Sequence, residues 1–291
     1  MTRYIVITLL ALLGTADASA KDPGSRIWAT GGVTTIEGSA GGGLVPWALL
    51  SGYASDEEWS GTINLSQARV DDYSLSVEAA SLNWRNRIEL SAARQTLDLD
   101  TLGFVLKDNV GIEQDELRQD VFGLKVRLFG DVLYHPWGQW SAGLLYKRQR
   151  DFTVPEAIAA RDDSGVDLLM GASKVFFASI FDRNLLLNGT VRGTRANQGG
   201  LLGFGGDRNN HYQWMAEASA GLFLNRKWLV GAEYRQKPDN LSFADENDWW
   251  DVFIAWVPDR RLSVTAAWIN LGDVASLTDQ QGVYLALQGN F

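Results

Sequence analysis

Hydrophobic and polar residues alternate along most of the chain beyond its first twenty residues, with a period of two rather than 3.6. In the segment 283–291 the odd positions hold Val, Leu, Leu, Gly and Phe, whereas the even positions hold Tyr, Ala, Gln and Asn. The segments 122–129, 185–194 and 228–235 repeat the pattern, and their polar positions include Lys, Arg and Glu. Such alternation is typical of β-strands with one apolar and one polar face.

Fourteen segments of this kind are predicted as strands: 26–34, 46–54, 59–69, 73–83, 87–97, 120–130, 139–149, 166–176, 185–195, 212–223, 228–236, 249–257, 262–271 and 281–291. Their connections alternate between tight turns, such as 84–86 and 258–261, and mostly long loops, such as 98–119 and 196–211. Bacterial outer-membrane barrels combine short periplasmic turns with longer extracellular loops in this way. The sequence therefore predicts an all-β fold, a transmembrane antiparallel up-and-down β-barrel of about fourteen strands. Twelve strands are the alternative, because the first and the eighth segments are the weakest.

The N-terminal residues have the features of a secretory signal peptide. Arg3 precedes an apolar run at 4–14, which is too short to span a bilayer as a helix, and Ala18-Ser19-Ala20 matches a small-residue cleavage site. We therefore expect a signal peptide at 1–20, an outer-membrane barrel at 21–291 and export to the outer membrane of a Gram-negative bacterium. An N-terminal membrane anchor is the alternative interpretation.

Aromatic residues lie where the apolar faces begin or end, as expected of rings that favour the membrane–water interface. We assign this interface role to Trp28, Trp59, Trp140, Trp228, Trp250, Trp256 and Trp268. The predicted contacts of this surface are outer-membrane lipid and lipopolysaccharide. The terminal Phe291 is similar to the C-terminal signal that the barrel-assembly machinery recognises, although Gly289 departs from that pattern.

The polar faces are assigned to the barrel lumen. The charged residues expected to line it are Glu78, Glu89, Lys125, Arg127, Lys147, Arg192, Glu217, Glu233, Arg235 and Asp251. Because these charges are balanced in sign, we expect weak ion selectivity. The sequence favours a passive channel for small hydrophilic solutes, and the alternative is a non-conducting structural or surface-interaction barrel with a salt-bridged lumen. Transport of apolar molecules would need a plug or a lateral opening, and about six residues between the cleavage site and the first strand leave no room for an N-terminal plug.

Composition excludes several other functions. The net charge of −9 argues against nucleic-acid binding, and the absence of Cys excludes disulfides, iron–sulfur clusters and thiol catalysis. The two histidines, His135 and His211, are expected on opposite sides of the membrane, so they cannot share a catalytic site. We therefore predict no enzymatic activity, no metal and no cofactor, and the sequence does not indicate an oligomeric state.

Several strings in the chain resemble a proteobacterial family known as domain of unknown function 3034. They are GSAGGGLVPWA at 38–48, QDVFGLKVRLFGD at 119–131, LLLNGTVRGTRANQ at 185–198, LLGFGGD at 201–207, EYRQKPDNL at 233–241 and DWWDVF at 248–253. The resemblance covers nearly the whole mature chain. It implies an outer-membrane protein, and it implies no activity and no catalytic residues.

Overall fold

The computed structural model of the protein describes residues 31–99, 114–243, 246–275 and 277–291. The predicted signal peptide at 1–20 and Trp28 lie outside these residues, as does most of the predicted loop 98–119. Among the described residues, no helix has the length and apolar character needed to cross a membrane.

Twelve antiparallel strands form a closed barrel, in which each strand pairs with its neighbours in sequence and the last strand pairs with the first. The wall consists of β3 (Trp59–Val70), β4 (Ser74–Trp84), β5 (Ile88–Asp98), β6 (Glu116–Phe129), β7 (Gln139–Gln149), β8 (Ser164–Ile180), β9 (Arg183–Thr194), β10 (Gln213–Phe223), β11 (Trp228–Arg235), β12 (Trp249–Trp256), β13 (Leu262–Val274) and β14 (Leu277–Asn290). A short helix, α1 (Thr153–Ala157), and a 3₁₀ turn at Asn197–Gly200 lie in the connections. The predicted up-and-down barrel is confirmed, and the expected fourteen strands are corrected to twelve.

The first two predicted strands, 26–34 and 46–54, do not belong to the wall. The segment 31–55, which we call the plug, lies inside the barrel and contains only a two-residue hairpin, β1 (Val33–Thr34) and β2 (Ala40–Gly41). Almost every plug residue is buried, including the apolar run from Val45 to Leu50. A lipid-facing strand would expose alternate side chains, so burial on all sides distinguishes the plug from the wall. The expectation that no N-terminal plug fits is therefore wrong.

The two faces of the wall differ as the alternation predicts over most of the barrel. Outward side chains such as Leu90, Val252 and Leu285 are 53%, 54% and 58% exposed. Such an apolar outer face suits lipid, and a closed barrel leaves no strand edge without hydrogen-bond partners in the bilayer. The plug packs against the opposite, inward face.

The barrel has two dissimilar ends. The turn end carries the connections 85–87, 130–138, 181–182, 224–227 and 257–261, together with Phe291. The loop end carries 99–115, 150–163, 195–212 and 236–248, in addition to the short connections after β3 and β13. Strands β13 and β14 pair as far as Val274 and Leu277, so the predicted connection 272–280 is mostly strand.

Candidate functional site

The plug is held in the lumen by side chains of the wall. Most hydrogen bonds between backbone groups that involve the plug join two plug residues, for example from Thr35 N to Ser39 O and from Trp47 N to Ala40 O. Several other donors and acceptors of the plug backbone are bound by inward-facing side chains, such as Gln288, whose Oε1 accepts from Thr34 N at 2.7 Å. Because buried backbone groups need partners, these polar side chains of the wall compensate for the missing strand pairing of the plug.

Glu233 binds the middle of the plug. Its Oε2 accepts hydrogen bonds from Leu44 N at 2.7 Å and Val45 N at 3.2 Å. Its Oε1 accepts from the indole Nε1 of Trp47 at 3.3 Å and from the hydroxyl of Ser219 at 2.7 Å. A single carboxylate from β11 therefore fixes both the backbone and the largest side chain of this part of the plug.

A second group of side chains binds the plug nearer the turn end. Glu89 accepts from Ala40 N and Ser51 N, and Lys125 donates to the carbonyl oxygens of Ala40 and Leu49. On the other side of the lumen, Gln139, Ser173, Asn188 and Thr190 bind the plug backbone at Pro46 and Ala48. The plug is thus attached around its circumference rather than along one edge.

Close backbone approach explains small residues on both sides of this contact. Gly52, with a φ of +66°, lies so near Ser60 that an added Cβ would be 2.5 Å from the Ser60 hydroxyl oxygen. A Cβ atom added at Gly31 would lie 2.5 Å from the carbonyl oxygen of Gly52. Both ends of the plug therefore lie towards the turn end. Larger residues at these positions would not fit.

A charge-balanced network joins the plug tip to the wall near the loop end. Glu37 is paired with Lys147 Nζ at 2.5 Å, Arg192 Nη2 at 2.7 Å and Arg235 Nη2 at 2.5 Å. Two wall carboxylates, Asp167 and Glu217, bind the same three cations. All six side chains are at most 4% exposed. Three carboxylates thus neutralise three cations, which compensates for the cost of burying each charge.

The predicted lumen residues can now be located. Those whose side chains face inward are Glu89, Lys125, Arg127, Lys147, Arg192, Glu217, Glu233, Arg235 and Asp251. Together with Asp167 on β8, they give five carboxylates and five cations. Most of them contact the plug or one another, so they surround a filled lumen rather than an open pore.

Glu78 is the exception, because it lies on the outer face. On β4 the buried positions are Val77, Ala79 and their alternates, whereas Glu78 is exposed. Its cross-strand neighbour is Arg94, which pairs with Asp120 at 2.9 Å, and Asp120 also pairs with Arg150 at 2.5 Å. The expectation that Glu78 lines the lumen is wrong because apolar residues occupy the inward positions of this strand.

An apolar cavity lies inside the barrel at the loop end. Its volume is about 70 Å³. The wall contributes side chains of β3–β5 and β12–β14, and the plug contributes Ile36 and Leu44. The residues of the wall are Ala68, Val70, Tyr73, Leu75, Leu97, Trp249, Asp251, Ile269, Leu271, Val274 and Tyr284, together with Gln198 and Leu201 from a loop.

A buried ion pair from the loops lies beside this cavity. Lys237 Nζ is 2.8 Å from Glu246 Oε2, 3.1 Å from Gln198 Oε1 and 4.9 Å from the centre of the Trp249 ring. Burial lowers the pKa of Lys237 and raises the pKa of Glu246, although each partner opposes the shift of the other. The pair therefore carries a desolvation cost at neutral pH.

The predicted interface aromatics that the structure describes are outward-facing. Trp59, Trp140, Trp228 and Trp256 lie near the turn end, and Trp228 stacks on Trp256 with ring centres 6.0 Å apart. Trp250 is near the loop end of β12, and Trp268 lies further along β13, 50% exposed.

Phe291 follows β14 and exchanges two backbone hydrogen bonds with Gly61, which continues the closing pair of strands. Its role as an assembly signal stays a prediction.

The histidines are too far apart to share a site. His135 lies in the turn 130–138 and His211 in the loop 195–212, at opposite ends of the barrel. Within the described ranges, no three acidic or histidine side chains converge in a way that could hold a metal ion.

Sequence reasoning missed the plug and the residue that anchors its tip. Glu37 lies in a Gly- and Thr-rich run that was interpreted as a loop between two strands. One available signal was the segment 46–54, because it is apolar without alternation and therefore does not match a wall strand. The alternation also leaves the orientation of Asp167 undecided, because a bulge or a position at the rim reverses which face a side chain occupies.

No curated protein matches the chain significantly. Among solved structures, the KdgM porin has a TM-score of 0.50 at 8% identity, and the match covers 79% of this chain and 99% of that one. The Acinetobacter baumannii outer membrane protein Omp33 matches with a TM-score of 0.48 at 10% identity, covering 81% of this chain and 100% of that one. The COG4313 outer membrane channel from Pseudomonas putida F1 matches with a TM-score of 0.42 at 10% identity, covering 82% and 97%.

At this level of identity, the likeness to the KdgM porin supports a porin-like barrel fold and nothing finer. The family model of the protein of unknown function DUF3034 matches residues 30–288, which is most of the chain. The resemblance found in the sequence strings is thereby confirmed, and the chain belongs to the DUF3034 family.

Proposed function

We propose that the protein is an outer-membrane channel that residues 31–55 close and that conducts small solutes when this plug leaves the lumen. The observation that carries the proposal is the attachment of the plug. Its backbone pairs with side chains of the wall and with itself, and it forms no ladder with the wall. Such contacts can exchange with water one at a time, whereas a continuous strand ladder cannot.

The inward charges support weak ion selectivity in the open state. The wall strands contribute the five carboxylates and five cations described above, and Glu37 leaves with the plug. The opened wall then has no excess charge of one sign that would exclude either cations or anions. The non-conducting salt-bridged barrel is the second candidate, and the neutral network around Glu37 is the observation that favours it.

The cellular setting belongs to the same proposal. The apolar outer face and the porin-like fold support a position in the outer membrane, with the turn end in the periplasm and the loop end outside. Outer-membrane lipid and lipopolysaccharide would contact the outer face, and the barrel-assembly machinery would recognise the strand that ends at Phe291. Export by a cleaved signal peptide at 1–20 is part of this expectation.

A disulfide that locks the plug tests the proposal, and the natural chain contains no Cys that would interfere. A Cβ atom at position 171 would lie 3.7 Å from the Ala48 Cβ atom. Disulfides need a Cβ–Cβ distance of about 3.8 Å. We expect the variant Ala48→Cys with Gly171→Cys to give single-channel current in a planar bilayer when reduced and to be silent when oxidised.

The matched control is Ala80→Cys with Ala92→Cys, which links the side chains of cross-strand neighbours on the outer face, on the opposite side of the wall from the plug. Its current should be the same in both redox states. Equal current from the oxidised and reduced plug variant would show that conduction does not require the plug to move. Silence of the wild type, of the reduced variant and of a variant lacking 31–55, each shown to be folded by heat-modifiable gel mobility, would favour the non-conducting barrel.

A further inference from the structure

The cavity at the loop end differs from the rest of the lumen in its lining. Most of its wall is aliphatic or aromatic, including Val70, Leu75 and Ile269. Elsewhere the polar side chains of the lumen bind the backbone of the plug. Here the plug offers Ile36 and Leu44, and space remains between plug and wall. An apolar site with a few polar groups is the usual composition of a small-molecule site.

One acidic side chain lies in this apolar lining. Asp251 is 4% exposed, and its Oδ1 has no hydrogen-bond partner among the described residues. Its cross-strand neighbour Glu233 accepts hydrogen bonds from the plug and does not pair with Asp251. The indole Nε1 of Trp249, in the same wall, also has no partner in the described part of the chain. Buried polar atoms are nearly always satisfied in proteins, so these two atoms are available to bind a polar group of a molecule that enters the cavity.

We infer that this cavity binds a small apolar molecule that carries one hydroxyl group, such as an alkylphenol or a medium-chain alcohol. The apolar part of the ligand lies among the side chains of β3–β5 and β13–β14, and its hydroxyl pairs with Asp251. A hydroxyl both donates and accepts, so it can pair with a carboxyl group in either protonation state. The inference goes beyond the proposed channel, because the site exists with the plug in place, and it rests on that function only for the transport of the ligand.

Binding is measured separately from conduction by using the oxidised Ala48→Cys, Gly171→Cys protein in nanodiscs. The probes are 4-propylphenol and propylbenzene, titrated by calorimetry against empty nanodiscs to subtract partition into lipid. We expect saturable binding of 4-propylphenol. Ala68→Phe, which places a ring in the cavity, should weaken this binding at least tenfold. Ala80→Phe adds the same ring on the outer face and should leave it unchanged.

Asp251→Leu separates the role of the carboxyl group from that of the apolar lining. The substitution should weaken the binding of 4-propylphenol about tenfold, which is the usual effect of losing a hydrogen bond to a charged or buried polar group. It should leave propylbenzene unchanged or bound more tightly. Leu75→Phe is a second variant that fills the cavity, should Ala68→Phe fail to fold.

Each outcome bears on one proposal. Partition equal to that of empty nanodiscs, or binding that neither filling variant changes, would overturn the site. If Asp251→Leu lowers the affinity for both probes equally, the proposed role of the hydroxyl group is overturned. Binding by a protein that never conducts would refute the channel and leave the site in place.

Discussion

Near the loop end, the two sides of the lumen pack against the plug tip with opposite chemistry, ion pairs on one side and apolar contacts on the other. On the side of β7–β11, Lys147, Arg192 and Arg235 bind Glu37 of the plug in a buried ionic network. On the side of β3–β5 and β12–β14, apolar side chains face Ile36 across a cavity. Consecutive residues of the plug tip therefore face an ionic wall and an apolar wall.

The difference indicates a division of roles. Buried ion pairs need a fixed geometry, and removing one partner leaves the other charge buried and unpaired at a large cost in free energy. The charged side therefore sets the position of the plug. Apolar contacts are not directional, and a cavity among apolar side chains costs packing energy without breaking an ion pair. The apolar side can therefore accommodate a ligand while the plug stays in place.

Glu37→Gln should have the largest effect, because it breaks the charged side. It leaves three buried cations with two carboxylates. We expect a loss of about 3 kcal/mol or more in the free energy of unfolding, the usual result of removing one partner of a buried ion pair. Urea unfolding from lipid vesicles, followed by tryptophan fluorescence, measures it, and the open probability of the channel should increase.

A second substitution provides the control for this prediction. Adding Arg235→Gln restores equal numbers of carboxylates and cations in the network, so stability should partly recover. If the double variant is less stable than Glu37→Gln by the full cost of each change, charge balance is not what holds the plug tip.

Ile36→Ala should have a smaller effect, because it changes the apolar side. A fully buried Ile loses about 2–5 kcal/mol on truncation, but Ile36 is half-buried and borders an existing cavity. We expect a loss of about 1 kcal/mol in the free energy of unfolding. The larger cavity should admit a longer alkylphenol than the wild type. A loss as large as that of Glu37→Gln would remove the distinction between the two sides.

The smallest effect is expected at the loop pair beside the cavity. Burial raises the pKa of Glu246 above its ordinary value of 4.5, so the folded protein binds a proton more tightly than the unfolded chain. The contribution of this group to stability therefore rises as the pH falls from the raised pKa towards 4.5. Glu246→Gln should remove this part of the slope in urea unfolding measured between pH 7 and pH 4.5. An unchanged slope would mean that Glu246 is solvated.

The distribution of polarity explains which features the sequence predicted. Where the lumen is polar, as along β9, β11 and β14, alternation identified the inward positions, including Arg192 and Glu233. Where the lumen is apolar, the rule that polar residues face inward fails. On β4, Val77 and Ala79 face the interior and Glu78 faces outward near the loop end. The wrong assignment of Glu78 is therefore a signature of the apolar side.

The plug could not be separated from the wall by local pattern alone. Short apolar runs fit a strand or a buried irregular segment equally well, and the runs at 26–34 and 46–54 are predicted as the first two strands of the wall. Because the predicted number of strands is too high by two, an even number, the assignment of every later connection to the turn end or the loop end is unaffected. A local pattern does not contain tertiary contacts, such as the hydrogen bond from Thr34 in the plug to Gln288, which is 254 residues away along the chain.

The way the plug enters the barrel has a topological consequence. Gly31 and Gly52 lie against each other near the turn end, so the plug is a re-entrant loop with both of its ends on the same side. Among the described residues, its withdrawal would break no backbone hydrogen bond between neighbouring wall strands. The opening step that we propose is therefore uncoupled from the unfolding of the barrel, and it would need no reassembly of the wall in the membrane.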